Sequence, residues 1–199
     1  MASWQDEIRA QAVELFIQGT EAFRFLERDY GYTPIAQKLE YLNDFRDTQA
    51  ELTYAGEAMG VTIGLNFSSG NLDVAFRKIA RPRWYPDTVS AEELASNRPV
   101  FMPLYDLIRF QGAEKDPDLL LGDLWNLYES KCKKRNALLA TNLRGVLDGL
   151  ARATVRYGDA ALRGDSSQFA AVKEYQVAHQ YDYILPRYRP QPKQPPTAK

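Results

Sequence analysis

The chain has one cysteine, one histidine and no long run of apolar residues among its 199 residues. A single cysteine, Cys132, cannot form an internal disulfide, which is typical of a protein from a reducing compartment. Charged residues interrupt every apolar stretch before it reaches the roughly 20 residues that a membrane-spanning helix needs. The first residues include acids, where a secretory signal peptide has basic and then apolar residues. We therefore expect a cytoplasmic protein that does not bind membranes.

The signatures of several enzyme classes are also missing. The sequence contains no G-x-x-x-x-G-K-[ST], no G-x-G-x-x-G and no G-x-S-x-G. A zinc site needs several Cys and His ligands, whereas this chain offers only Cys132 and His179. We interpret His179 as complementing a helix dipole and Cys132 as an ordinary helix thiol beside three lysines in the sequence. No cofactor is predicted.

The overall composition is close to that of an average soluble globular protein. Hydrophobic residues make up 45% of the chain, charged residues 26%, and the formal net charge is −1. A chain of this length can bury a sizeable core without disulfides or metals. We predict one domain over residues 1–185. Residues 186–199 are basic and rich in proline, and we predict that this tail is disordered.

The pattern of apolar residues predicts an α+β fold. Apolar residues at helical spacing indicate a first helix over about residues 3–29, which Gly31 and Pro34 would end. Alternating apolar and polar residues at 61–67 and 72–76 predict two strands joined as a hairpin.

Two further patterns extend the predicted sheet. Leu52 and Tyr54 begin an earlier strand, and residues 35–47 carry the weak pattern of an additional edge strand. Because one face of these strands is apolar and the other polar, the sheet is expected to be an antiparallel meander. The sequence therefore predicts an N-terminal helix, a three- to four-stranded antiparallel sheet and a C-terminal helical block.

The helical block follows a predicted loop at 81–99. Pro103 would stand in the first turn of one helix, and residues 116–118 would start a second helix. A long third helix is expected to end at Gly158. Ser166 would cap the last helix.

Charge is distributed unevenly along the chain. Residues 1–70 have a net charge of −6, residues 71–130 of −3 and residues 131–199 of +8. We favour the interpretation that these regions pack together and neutralise one another, since surface charge usually only solvates a protein. Alternatively, a basic surface binds an acidic partner or a phosphate backbone. The candidate binding residues are Lys131, Lys133, Lys134, Arg135, Arg144, Arg152 and Arg156.

Carboxylates offer a second candidate site. Asp116, Asp118 and Asp123 would lie close together at a helix start. Such acids complement a helix N-terminus, and we prefer this interpretation. A site for a hard cation is the alternative.

Two segments carry a resemblance. Residues 25–32 have an aromatic-Gly-aromatic step after the first helix, and residues 162–169 have an Arg-Gly-Asp-x-Ser-x-Phe-like step before the last helix. In these features the chain resembles a group of uncharacterised bacterial proteins with a small α+β scaffold. The resemblance implies a shared scaffold up to about residue 178 and no catalytic residues.

The sequence thus favours a non-enzymatic bacterial protein-binding protein, associated with immunity or defence. Two alternatives remain. One is a metal-assisted hydrolase that works without His or Cys chemistry through the acids of residues 116–123. The other is a non-specific nucleic-acid binder that uses the basic surface of residues 131–163.

Overall fold

The computed structural model describes residues 4–42, 47–79, 101–121 and 129–179, and this part of the chain has an α+β fold. Its helices are α1 (Trp4–Ala22), α2 (Phe25–Tyr30), α3 (Leu104–Phe110), α4 (Glu129–Leu162) and α5 (Phe169–His179). Its strands are β1 (Thr33–Leu42), β2 (Asp47–Ala55), β3 (Met59–Asn66), β4 (Asn71–Lys78) and β5 (Phe101–Pro103). The predicted fold class is therefore confirmed. The loop at 81–99, Asp123 and the tail at 186–199 lie outside the described residues.

The five strands form one antiparallel sheet in the order β1-β2-β3-β4-β5. Every strand pairs with its neighbour in sequence, as in the predicted meander, and the predicted hairpin is the β3–β4 pair. The prediction of three or four strands is one short, because β5 has three residues and is too brief to show an alternating pattern.

The predicted single helix over residues 3–29 is two helices. The chain turns between α1 and α2, where the amide of Phe23 still donates to the carbonyl oxygen of Gly19 at 2.9 Å. The turn leaves Phe23 and Leu26 both fully buried in the core. Gly31 ends α2 in the left-handed conformation, with φ of 71°, and its amide bonds to the carbonyl oxygen of Leu26. The predicted terminating role of Gly31 is therefore confirmed.

Gly158 does not end the long helix, which continues to Leu162. A β-carbon at Gly158 would lie 2.3 Å from Cζ of Phe76, so glycine here allows α4 to approach β4 closely. The chain leaves the helix at Gly164 instead, which has a φ of 88°.

No helix starts at residues 116–118. The amide of Asp118 donates to Oδ1 of Asp116 at 2.9 Å, and this local bond favours a turn over a helix. Residues 116–121 accordingly form turns. The last helix begins at Phe169. Just before it, the amide of Ser167 donates a hydrogen bond to Oδ1 of Asp165 at 2.8 Å.

The core lies between one face of the sheet and the helices. Gly19 of α1 packs near Leu52 of β2, and Gly158 of α4 packs against Phe76 of β4. Both large side chains are almost completely buried. No helix in the described part of the chain is long and apolar enough to cross a membrane.

Candidate functional site: a groove between α1 and α4

A groove of about 1590 Å³ lies between α1 and α4, and we call it the α1–α4 groove. Thr48 of β2 and Leu65 of β3 line it from the sheet. Val13 lines it from α1, and Leu139 and Leu143 line it from α4. Apolar atoms supply most of the exposed surface of the groove, although many of the residues that line it are polar or charged.

Helix α1 can form one wall because it carries apolar residues on more than one face. Ile8, Ala12 and Leu15 follow one stripe and are buried. Val13 and Ile17 lie one turn apart outside that stripe and are 53% and 54% exposed. Of this pair, Val13 lines the groove and is the signal in the sequence that could have indicated it, because a helix that only covers a core needs one apolar face.

Helix α4 is interrupted where it borders the groove. Asn142 has a non-helical backbone, with φ of −150° and ψ of 43°. Its Oδ1 accepts a hydrogen bond from the amide of Gly145 at 3.2 Å, as an N-cap residue does. The wall thus consists of two helical segments that meet at Asn142.

Arg144 joins the two walls. Its Nη1 lies 2.5 Å from Oε2 of Glu21 in α1, and its Nε lies 2.9 Å from Oδ1 of Asp148 in α4. Because two carboxylates compensate this guanidinium, the positive charge of Arg144 is neutralised within the protein. Arg144, one of the predicted binding residues, thus links α1 and α4 in the structure.

The α1 rim of the groove is acidic. Glu7 and Glu14 both line the groove and are exposed. Arg9 on the same rim lies 3.8 Å from Asp6, which offsets its charge. The rim therefore presents negative charge to any occupant.

Two polar atoms at the groove lack a hydrogen-bond partner among the described residues. The Oγ1 atom of Thr48, a residue only 1% exposed, is one of them, and Oε1 of Gln18 is the other. The Nε2 group of Gln18 donates to Oε2 of Glu14 at 2.7 Å. This bond fixes the orientation of the amide, so that its acceptor oxygen is the atom without a partner.

Arg152 and Arg156 are also neutralised. Arg152 lies 2.7 Å from Oδ1 of Asp118, and Arg156 lies 3.0 Å from Oδ2 of the same carboxylate. Arg156 contacts Asp116 as well, and so does the hydroxyl of Tyr157. The hydrogen bond from Arg152 holds the pKa of Asp118 below its usual range, and that from Tyr157 does the same for the pKa of Asp116. Both arginines border a shallow cavity of about 540 Å³.

Arg135 does not belong to a surface with these arginines. Arg135 is fully buried, and its Nε donates to the carbonyl oxygen of Ser69 at 2.9 Å. Its Nη2 lies 3.2 Å from Sγ of Cys132. Lys133 and Lys134 lie near the start of α4, and both are exposed. Lys131 belongs to α4, but its side chain lies outside the described part.

The acids of residues 116–118 are held by arginines and a tyrosine. In the described ranges, no group of three His, Cys, Asp or Glu side chains is placed to hold a metal ion. His179 is the last residue of α5, and its ring lies 4.2 Å from that of Tyr175, measured between centroids.

A second polar cluster lies between β4 and α3. Burial raises the pKa of Asp73 to about 8, and the charge of Asp106 contributes in the same direction. Burial also raises the pKa of Asp106, which accepts a hydrogen bond from Gln176. Sequence reasoning missed this cluster, because Asp73 alternates with apolar strand residues and so has the pattern of a solvent-facing side chain.

No protein-family model, curated protein or solved structure matches this chain. The resemblance to uncharacterised bacterial proteins therefore stays a prediction, and the functional argument rests on the geometry of the groove.

Proposed function

We propose that this protein is a non-enzymatic binding protein that takes up one helix of a protein partner in the α1–α4 groove. The observation that carries the proposal is the groove itself, a mainly apolar channel whose walls are two helices. Amphipathic helices bind such grooves by burying the apolar residues of one face. Val13, exposed on the α1 wall, would become buried in such a complex.

The size of the groove supports a helical segment over a small molecule. Pockets for small molecules measure about 300–1,000 Å³, whereas this groove measures about 1590 Å³. A single helix fills a long channel of this kind and contacts both walls and the sheet at once.

The charges of the groove indicate the chemistry of the helix. Glu7 and Glu14 stand seven residues apart, which is about two helical turns, so they lie on one side of α1. An occupant with lysines or arginines along one flank of its apolar stripe would complement them. We therefore propose an amphipathic helix with a basic flank.

The ion pairs of α4 favour a protein partner over a nucleic acid. A phosphate backbone is bound by cations that are free to replace its counterions. Arg144, Arg152 and Arg156 are each compensated by carboxylates of this chain. A bacterial immunity- or defence-associated role is the more specific form of the proposal, and a toxin gene adjacent in the genome would support it.

Site-specific photo-crosslinking tests the proposal. Benzoylphenylalanine is placed at position 13 in the groove or, as a control, at position 177 on α5. The two natural residues match closely, since both are helical valines, 53% and 55% exposed. We expect a protein to be crosslinked from position 13 only, through a segment that mass spectrometry identifies as an amphipathic helix with a basic flank.

The affinity of the identified partner is then measured for the natural chain and for two variants, to test whether the partner binds in the groove. We expect Val13→Asp to weaken binding at least tenfold and Val177→Asp to change it less than twofold. Equal crosslinking from both positions would overturn the proposal. So would co-purification of a small apolar molecule that Val13→Asp releases.

A further inference from the structure

The unpartnered polar atoms of the groove point to a feature that the occupant must have. Thr48 is 1% exposed, and its Oγ1 has no hydrogen-bond partner in the described part of the chain. Within the same residues, Oε1 of Gln18 is buried without a partner too. Both residues line the groove. A buried polar group without a partner is rare in native proteins and needs a specific explanation.

The chemistry of the two atoms restricts the kind of group that can form hydrogen bonds with them. Oε1 of Gln18 is a carbonyl oxygen and only accepts hydrogen bonds, while Nε2 of the same amide donates to Glu14 at 2.7 Å. The hydroxyl of Thr48 accepts and donates. An N–H group can donate to either atom, whereas a carboxylate or an aliphatic side chain cannot donate to Oε1. Glu14 next to Gln18 also favours a donor over an anion.

We propose that the partner helix inserts one N–H-bearing side chain, an asparagine, glutamine, lysine or arginine, into its otherwise apolar stripe, and that Gln18 and Thr48 select it. This proposal rests on the proposed function, since it assumes a helix in the groove. The two residues act as specificity determinants. A helix without the donor leaves Oε1 of Gln18 buried and unpaired, which weakens its binding.

The test is a peptide selection that needs no knowledge of the natural partner. A displayed library of helical peptides about five turns long, with lysines along one flank and random residues in the apolar stripe, is selected against the full chain. A parallel selection uses the double variant Thr48→Val, Gln18→Met, which removes the two polar atoms and nearly conserves volume. Each protein is checked by chemical unfolding before selection.

We expect peptides selected on the natural chain to carry Asn, Gln, Lys or Arg at one fixed stripe position. Replacing that residue by leucine should weaken binding to the natural chain at least tenfold and binding to the double variant less than threefold. Peptides selected on the double variant should carry an apolar residue there.

Two other results would separate a failure of this inference from a failure of the proposed function. Peptides that lose affinity with Val13→Asp but have a wholly apolar stripe on both proteins would overturn this inference and leave the proposed function standing. A selection that yields no peptide sensitive to Val13→Asp would overturn both.

Discussion

The hydroxyl of Tyr32 donates a hydrogen bond to the carbonyl oxygen of Leu162 at 3.1 Å, and this contact ties the end of α2 to the end of α4. Leu162 is the last residue of its helix, so its carbonyl is one of the four that a helix cannot satisfy internally. The aromatic ring of Tyr32 lies over Gly56, where a β-carbon would be 2.9 Å from Cζ. Tyr32 therefore supplies a hydrogen-bond donor to the end of α4, and its ring fits there because residue 56 is a glycine.

Replacing Tyr32 by phenylalanine should lower the free energy of unfolding by about 1–2 kcal/mol, because the buried carbonyl of Leu162 loses its donor. Urea denaturation measures the change. Tyr175→Phe is the control, since within the described residues Tyr175 makes ring contacts only. This variant should change the free energy of unfolding by no more than about 0.5 kcal/mol. Equal losses for the two variants would contradict the role of the hydroxyl.

Gly158→Ala should destabilise the protein by about 1–3 kcal/mol, although alanine is normally the better helix former. The added methyl group would meet the ring of Phe76, which is fully buried and cannot move aside without disturbing the core. Gly64→Ala on β3 is the matched control, because nothing lies within 4 Å of its new β-carbon. Thermal unfolding of both variants tests the prediction, and a gain in stability from Gly158→Ala would refute it.

Asp73→Asn should make the protein more stable at pH 8 and leave its stability nearly unchanged at pH 4. Burial raises the pKa of Asp73 to about 8 in the folded chain, against a pKa of about 4 in the unfolded chain. Between these values the folded state holds a proton that the unfolded state releases, so stability falls as pH rises. Asparagine does not ionise, and its Oδ1 can still accept the 2.7 Å bond from the amide of Val74.

The gain at pH 8 should be several kcal/mol, because each unit by which folding raises the pKa of Asp73 costs about 1.4 kcal/mol of stability once the pH reaches the higher of the two pKa values. Urea denaturation at pH 4, 6 and 8 gives the profile for both proteins. The same difference at all three values would show that Asp73 does not titrate in this range.

Asp118→Asn should create weak, salt-sensitive binding to double-stranded DNA. The change releases Arg152 and leaves Arg156 with one carboxylate partner, so positive charge becomes available for phosphates. The slope of log K against log salt should become more negative by about one unit for each phosphate that the variant neutralises. Fluorescence anisotropy between about 50 and 200 mM salt measures this slope.

Glu174→Gln is the control for charge, since it changes the net charge equally at an exposed position on α5. It should leave DNA binding unchanged. Strong salt-dependent binding by the natural chain would instead favour the nucleic-acid alternative.

The sequence predicted the β3–β4 hairpin because its information is local. Val61, Ile63 and Leu65 alternate with polar residues inside one strand, and the turn at Gly70 requires a positive φ of 63°. The role of Gly158 could not be predicted in this way. Its reason is the ring of Phe76, which belongs to a strand far away in the sequence, so the local pattern suggested only a helix end.

The charge distribution predicted that the acidic and basic parts of the chain form ion pairs, but not which residues form them. An acidic first part and a basic last part are consistent with packing between them, and Arg144 with Glu21 is such a pair. Counting charges could not show that Arg135 is buried, since burial depends on how α4 meets the β3–β4 turn. The groove escaped prediction for a similar reason, because its walls come from helices that are far apart in the sequence.

This separation of the groove walls has a thermodynamic consequence. The sheet joins strands that are neighbours in sequence, whereas α1 and α4 meet only when a loop of more than a hundred residues has closed. The α1–α4 groove therefore exists only in the folded protein. Any helix that occupies it adds its own binding free energy to the stability of the fold, in proportion to the logarithm of its concentration above Kd.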